Sequence, residues 1–164
     1  METQSYTSDK NNRRAIILCG TGQLIAVSFG GGFIMFSEKN THECILGGSL
    51  IFVYLFCMLL WSNPVRYGII HRIDGVVAKA AILYFITYTL ACKKMEGAAR
   101  FSYYMIMTGI GSNAYLSNFY SEKEWCSRPH IYYHGLMHFF CFVGSLYAFL
   151  MPTDDILSNN RYPI

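Results

Sequence analysis

The histidines in the stretch HIYYHGLMH, residues 130–138, have a spacing that can bind a metal ion. His134 and His138 stand four residues apart, so on a helix they share one face, with their Cβ atoms about 5–6 Å from each other. His130 lies one turn earlier on the same stripe. Two imidazoles can hold one ion, and catalytic zinc takes three protein ligands and keeps one open position. The stretch therefore predicts a zinc site at His134 and His138, with a third ligand from His130 or from His71.

A second group of ionisable residues falls in an apolar segment earlier in the chain. His71, Asp74 and Lys79 lie there, although a central charge costs about 2.5–3.5 kcal/mol on membrane-insertion scales. A carboxylate beside zinc-bound water, whose pKa falls to about 7, is an arrangement for hydrolysis, which gives Asp74 a predicted catalytic role. Simpler interpretations stay open. Asp74 can pair with Lys79, the two later histidines can bond across helices or face headgroups, and His130 can be solvated at the interface.

The composition indicates a membrane protein. Of the 164 residues 53% are hydrophobic and only 14% are charged, against about 25% charged residues in soluble domains. The apolar residues form blocks, and a helix of roughly 20 such residues crosses the hydrocarbon core of a bilayer. The net charge of +3 is dispersed, so no nucleic-acid partner is expected. We predict an all-α, polytopic transmembrane bundle of about five helices, whose candidate partners are membrane lipids and the proteins of a membrane complex.

The expected segments follow from the polar stretches that interrupt the apolar blocks. A polar N-terminal segment at residues 1–14 precedes the bundle at residues 15–151, and a polar tail at 152–164 follows it. The fourth helix is semi-polar, so we expect its neighbours to shield it and its polar side chains to bond across helices. The predicted helices cover residues 15–36, 45–61, 73–92, 101–119 and 130–151.

Five alternating crossings place the candidate site residues on one side of the membrane. Helices 1, 3 and 5 begin on the N-terminal side, so His71, Asp74 and the histidines at 130, 134 and 138 fall in the same half of the bilayer. Outside the apolar segments that side carries seven Lys and Arg residues, and the opposite side carries five. Because cytoplasmic loops hold the excess of basic residues, we expect a multi-pass protein with a cytoplasmic N-terminus.

Two stretches resemble a known family of membrane proteins. Residues 71–90, HRIDGVVAKAAILYFITYTL, are similar to the third helix of the progestin and adipoQ receptor/hemolysin III family, where an Arg-Leu-Asp-like start leads into an apolar helix. Residues 133–150, YHGLMHFFCFVGSLYAFL, resemble the family's last helix, which opens with HxxxH. The family belongs to a superfamily with the alkaline ceramidases, generally seven-helix membrane hydrolases or receptors that bind zinc through three histidines, with an Asp nearby.

The resemblance implies a set of site residues, and this chain departs from that set at one position. It implies His134 and His138 as two zinc ligands and Asp74 as the acid beside the metal-bound water. The family's third histidine lies near the end of helix 2, where this chain has Leu-Leu-Trp-Ser at 59–62. His71 or His130 can substitute, or Asp74 can bind the metal directly. Loss of two helices between the third and the last would leave five crossings without inverting any helix.

Three classes of function are consistent with these residues. The first is a zinc-dependent membrane hydrolase of lipid amides or esters, because a site inside the bilayer receives such substrates laterally. The alternative is a non-enzymatic accessory subunit of a membrane complex, in which the histidines and Asp74 make interhelical hydrogen bonds worth on average about 0.6 kcal/mol. The third is a haem-binding membrane protein, with His71 and His134 as axial ligands.

Overall fold

The structure is a computed structural model that describes residues 9–154, with side chains from residue 14 onward. Residues 1–8 and 155–164, which belong to the two predicted polar terminal segments, lie outside the described part. The predicted all-α fold is confirmed, since the described residues form five helices and no β-strand. The helices are α1 at Asp9–Val27, continued by π-helical turns at Ser28–Ile34, α2 at Thr41–Ser62, α3 at Ile69–Cys92, α4 at Gly97–Lys123 and α5 at Arg128–Leu150.

Local sequence signals explain where these helices begin and end. The side chain of Asn40 caps α2 by accepting a hydrogen bond from the backbone N–H of Glu43 at 2.9 Å, as polar N-cap residues do. Pro64 follows the end of α2, because proline lacks the donor that would continue the helix. Pro129 stands in the first turn of α5, where its missing N–H costs nothing. The hydropathy blocks mark only the apolar part of each helix, so the polar first and last turns extend beyond the predicted limits.

The five helices alternate in direction. Thr21 of α1 lies beside His138 of α5, and Ser28 lies beside Ser145, so α1 and α5 run parallel. The helix α2 packs against α1 and α3, and α5 packs against α1 and α4, whereas α3 and α4 barely touch in the described part of the chain. The helix α3 also touches α5 where Phe85 meets Phe149, so the bundle is a ring of helices that is open on one side, between α3 and α4.

The outer surface of the bundle is apolar. On α3 the side chains of Ile69, Val76 and Leu83 repeat every seven residues and are 77%, 68% and 66% exposed. Soluble monomers rarely expose large contiguous apolar patches, whereas this surface matches the hydrocarbon of a bilayer. Four helices, α1 with its π-helical continuation, α2, α3 and α5, are long and apolar enough to cross a membrane, which agrees with a multi-pass membrane protein. The helix α4 has 27 residues but is more polar, and its crossing stays a prediction.

Candidate functional site

The predicted site residues share one cavity. It has a volume of about 750 Å³ and lies between α2, α3, α4 and α5, on the open side of the ring. His71 and Asp74 contribute from α3, and His130, His134 and His138 contribute from α5. The remaining lining is mostly apolar, and such a combination of an apolar cleft with a few convergent polar groups is typical of a small-molecule site.

A hydrogen bond to α1 orients the ring of His138. The hydroxyl of Thr21 donates to the carbonyl of Leu18 at 3.2 Å, and the same oxygen lies 2.9 Å from Nδ1 of His138. When Nδ1 of His138 donates to this oxygen, the other nitrogen of the neutral imidazole has a free lone pair. Nε2 of His138 can then bind a metal, and it faces Sγ of Cys57 at 4.0 Å.

His134 is held in the same way by a different helix. Its Nδ1 lies 3.0 Å from the hydroxyl of Ser117 on α4. Its ring lies 4.8 Å from the ring of His138, nearly perpendicular to it at 79°, and also 4.8 Å from the ring of Trp61. The prediction that polar groups of α4 bond across helices is confirmed for Ser117, whereas Thr108 and Asn113 bond within α4 itself.

His130 has a structural role in the turn that precedes α5. Its Nδ1 accepts a hydrogen bond from the backbone N–H of Cys126 at 3.0 Å, and its ring lies 4.9 Å from Trp125. Since Nδ1 accepts, Nε2 carries the proton in the neutral ring, and neither nitrogen has a free lone pair for a metal. Burial raises the pKa of the Cys126 thiol to about 12, so this cysteine is a neutral packing group.

Residues from α3 line the same cavity as the histidine pair, which is His134 together with His138. The ring of His71 meets the rings of Tyr67 and Trp125 edge to face, at 6.0 and 5.1 Å. Asp74 and Lys79 both line the cavity. No ion pair between them is present in the described part of the chain, where the buried ion pair joins Lys93 to Glu43 at the other end of the bundle.

The histidine pair fits two positions of a zinc site. Hydroxyl groups hold both Nδ1 atoms, and outer hydrogen bonds of this kind orient metal-binding histidines and fix their tautomer. Neutral imidazole is also the form that binds zinc. However, no three His, Cys, Asp or Glu side chains within the described residues already have the spacing of a metal site. The structure thus supplies two ligands, and the three-histidine set implied by the resemblance is not assembled.

Several residues of the site are absent from the sequence-based prediction. Thr21 and Ser117 hold the histidine pair, Trp61 and Trp125 stack at 5.7 Å beside it, and Cys57 lies in the cavity wall. The HxxxH spacing points to the metal ligands, but the sequence carries no signal for which faces of α1, α2 and α4 turn toward them. That information depends on helix rotation, which is a property of the packed bundle.

The fold and the cavity define an all-helical protein whose four long apolar helices fit a multi-pass membrane protein, with a polar cluster in the cavity between its helices. The chain matches no known family model, no curated protein and no solved structure. The resemblance of residues 71–90 and 133–150 to the progestin and adipoQ receptor/hemolysin III family therefore stays a prediction.

Proposed function

We propose that this protein is a membrane-embedded hydrolase that cleaves an amide or ester bond of a lipid, with zinc held by His134 and His138. The observation that supports it is the cavity, which joins the histidine pair and Asp74 in one apolar cleft. When bound, zinc supplies a Lewis acid and an activated water at neutral pH. The protein's own residues bind the lipid, orient it and transfer protons.

Substrate access follows from the open ring. Because α3 and α4 barely touch and both line the cavity, a lipid can enter sideways from the bilayer without leaving hydrocarbon. Apolar side chains such as Phe85 and Ile110 line the cavity beyond the polar cluster and suit an acyl chain. The polar end of the lipid then lies against the histidine pair, at the end of the bundle where α3 and α5 begin.

Asp74 is the residue that transfers protons in this proposal. This carboxyl group lines the cavity from the first turns of α3, facing the space between α3 and α5. A carboxylate in that position can take a proton from the attacking water and return it to the leaving amine or alcohol, as a general base and then a general acid. Positioned groups of this kind contribute about 10²–10⁴-fold to a rate.

The test is hydrolysis by purified protein in lipid nanodiscs, with synthetic lipid amides and esters and detection of the released fatty acid by mass spectrometry. We expect activity that falls about 10²-fold or more in Asp74→Asn and is lost in His134→Ala/His138→Ala. His42→Ala is the matched control, because His42 is exposed and bonds to Tyr84 at the other end of the bundle. Equal hydrolysis in all four proteins, or none in the wild type, would overturn the proposal.

A non-enzymatic subunit is the second candidate, and the open side of the ring favours it. A helix from another protein could cover the gap between α3 and α4, in which case the histidine pair would serve packing alone. Wild-type protein that hydrolyses no lipid, and that co-purifies from its native membrane with one stoichiometric partner, would support this function instead.

A further inference from the structure

We propose that Trp61 of α2 donates its indole N–H to the carbonyl oxygen of a lipid bound in the cavity. This inference rests on the proposed function, whose substrate is a lipid amide or ester, and it names the residue that recognises the carbonyl group common to both. Trp61 lines the cavity and is 1% exposed. Its Nε1 atom has no hydrogen-bond partner among the described residues.

A buried N–H group without a partner is unusual in a protein. Most buried side-chain polar atoms have at least one hydrogen-bond partner, and leaving one without a partner costs stability. Tryptophans near the ends of membrane helices usually lie at the headgroup level, but Trp61, in the last turn of α2, is almost completely buried. Because the indole nitrogen can only donate, a group that bonds to it must be an acceptor.

The neighbouring tryptophan differs from Trp61 in having its N–H hydrogen-bonded. Trp125 stacks on Trp61 with ring centroids 5.7 Å apart, and its Nε1 donates to the carbonyl oxygen of Pro64 at 3.3 Å. An edge-to-face contact with His134, at 4.8 Å and 66°, is a second ring contact of Trp61. These contacts fix the indole ring, so its N–H is preorganised for an acceptor and loses little freedom on binding one.

The surroundings of Trp61 favour an uncharged acceptor. Its ring contacts among the described residues are with Trp125, His130 and His134. None of these rings carries the permanent positive charge through which Arg and Lys bind phosphate and carboxylate groups, and the basic residues that line the cavity come from α3. A carbonyl oxygen is a neutral acceptor with two lone pairs, so the carbonyl of an amide or ester fits this position beside the histidine pair.

The length of the cavity suits the acyl chain that such a carbonyl group carries. The lining extends from His71 to Ile86 on α3 and from His130 to Ser145 on α5, which is about 22 Å along each helix. One lipid tail spans roughly half of a hydrocarbon core about 30 Å thick, so the cavity can hold a whole acyl chain. Trp61 lies at the end where α3 and α5 begin, and a carbonyl bound there leaves the chain in the apolar part.

The test uses a probe that cannot be hydrolysed, so that binding is measured apart from catalysis. Full-length protein in detergent is titrated with a long-chain methyl ketone and, for comparison, with the alkane and the fatty acid of the same length. The chain has two tryptophans, so protein labelled with ¹⁵N in its indole rings gives two N–H resonances by nuclear magnetic resonance. Trp125→Phe assigns them and is the matched control, because Trp125 lines the same cavity but its N–H already bonds to Pro64.

We expect the ketone to move the proton resonance of the Trp61 N–H downfield, as a new hydrogen bond does, and to leave that of Trp125 nearly unchanged. The alkane should move neither resonance downfield. In Trp61→Phe the affinity for the ketone should fall about 5-fold, as loss of one hydrogen bond implies, while the affinity for the alkane stays the same. The wild-type spectrum tests the proposal by itself, so the result does not depend on the folding of a variant.

The possible contrary results separate this inference from the proposed function. A ketone that binds without moving the Trp61 resonance, or no more tightly than the alkane, would overturn the assignment of Trp61. A fatty acid that binds more tightly than the ketone and moves the same resonance would overturn the choice of a neutral carbonyl. If no probe binds, this inference and the lipid hydrolase both fail. A Trp61 response to the ketone in a protein that hydrolyses no lipid would support the carbonyl site and overturn only the hydrolase.

Discussion

The buried ion pair between Glu43 and Lys93 should dominate the stability of the end of the bundle that lies opposite the histidine pair. Both side chains are 0% exposed, and Nζ of Lys93 lies 2.5 Å from Oε1 of Glu43. The hydroxyl of Tyr88 donates to the same carboxylate oxygen at 3.3 Å, and the ammonium group of Lys93 donates to Thr153 at 3.2 Å. The pair thus joins the start of α2, the end of α3 and the segment that follows α5.

The expected loss of stability differs between variants that remove one partner of such a pair and a variant that replaces both. Removing one partner leaves an uncompensated buried charge and costs about 3–5 kcal/mol, whereas replacing both with apolar residues is often neutral or stabilising. We therefore expect about 3–5 kcal/mol of destabilisation for Glu43→Met and for Lys93→Met. The double variant should be far more stable than the sum of the singles predicts, with a coupling energy of several kcal/mol.

The assay is unfolding of the detergent-purified protein by sodium dodecyl sulfate, followed by intrinsic tryptophan fluorescence. Trp61 and Trp125 lie beside the histidine pair, at the other end of the bundle, so they report unfolding of the whole molecule. Lys94→Met is the control, since Lys94 is exposed and the effect should stay within about 0.5 kcal/mol. Single variants that each cost less than about 1 kcal/mol, with additive effects in the double variant, would refute the reasoning.

Three further predictions concern the site and the packing around it. Thr21→Val should weaken zinc binding about 10–100-fold by removing the hydrogen bond that orients His138, whereas Thr21→Ser should not. Equal zinc affinities in a competition titration would contradict this. His130→Ala leaves the buried N–H of Cys126 unpaired and should lower the stability by about 1–3 kcal/mol without loss of zinc, so metal loss in a folded variant would count against its structural role. Gly109→Ala should destabilise the protein in thermal unfolding, because its added methyl group would lie 2.8 Å from a phenylalanine ring, while Gly111→Ala, with nothing within 4 Å, should be tolerated.

The sequence predicts the architecture because the length and hydropathy of each segment are local properties. The number of segments then gives the direction in which each helix crosses. Apolar blocks of membrane-crossing length predict the helices, and counting the crossings is enough to place Asp74 and the histidine pair at the same end. The helix ends are less predictable. The first turn of α1 at Asp9–Arg14 is polar, and such turns carry no hydropathy signal although they continue the hydrogen-bonded helix.

The contacts within the site could not be predicted, because they depend on how each helix is rotated and packed. Cys57 lies in the middle of an apolar block, and nothing in the sequence around it indicates that it faces His138. Glu43 and Lys93 lie at the ends of apolar blocks, and only the contact between α2, α3 and the segment after α5 makes them a buried ion pair. The candidate site therefore depends mainly on polar contacts between residues that are far apart in the sequence.

The most direct test of the central claim is the zinc content of the detergent-purified protein, measured by mass spectrometry after equilibration with zinc and removal of the unbound metal. The wild type and His42→Ala should each carry about one zinc per chain, as one site with two histidine ligands implies. His134→Ala/His138→Ala should carry none while it keeps its helical circular dichroism. A folded wild type without zinc, or a double variant that retains it, would contradict the claim that the histidine pair is a metal site.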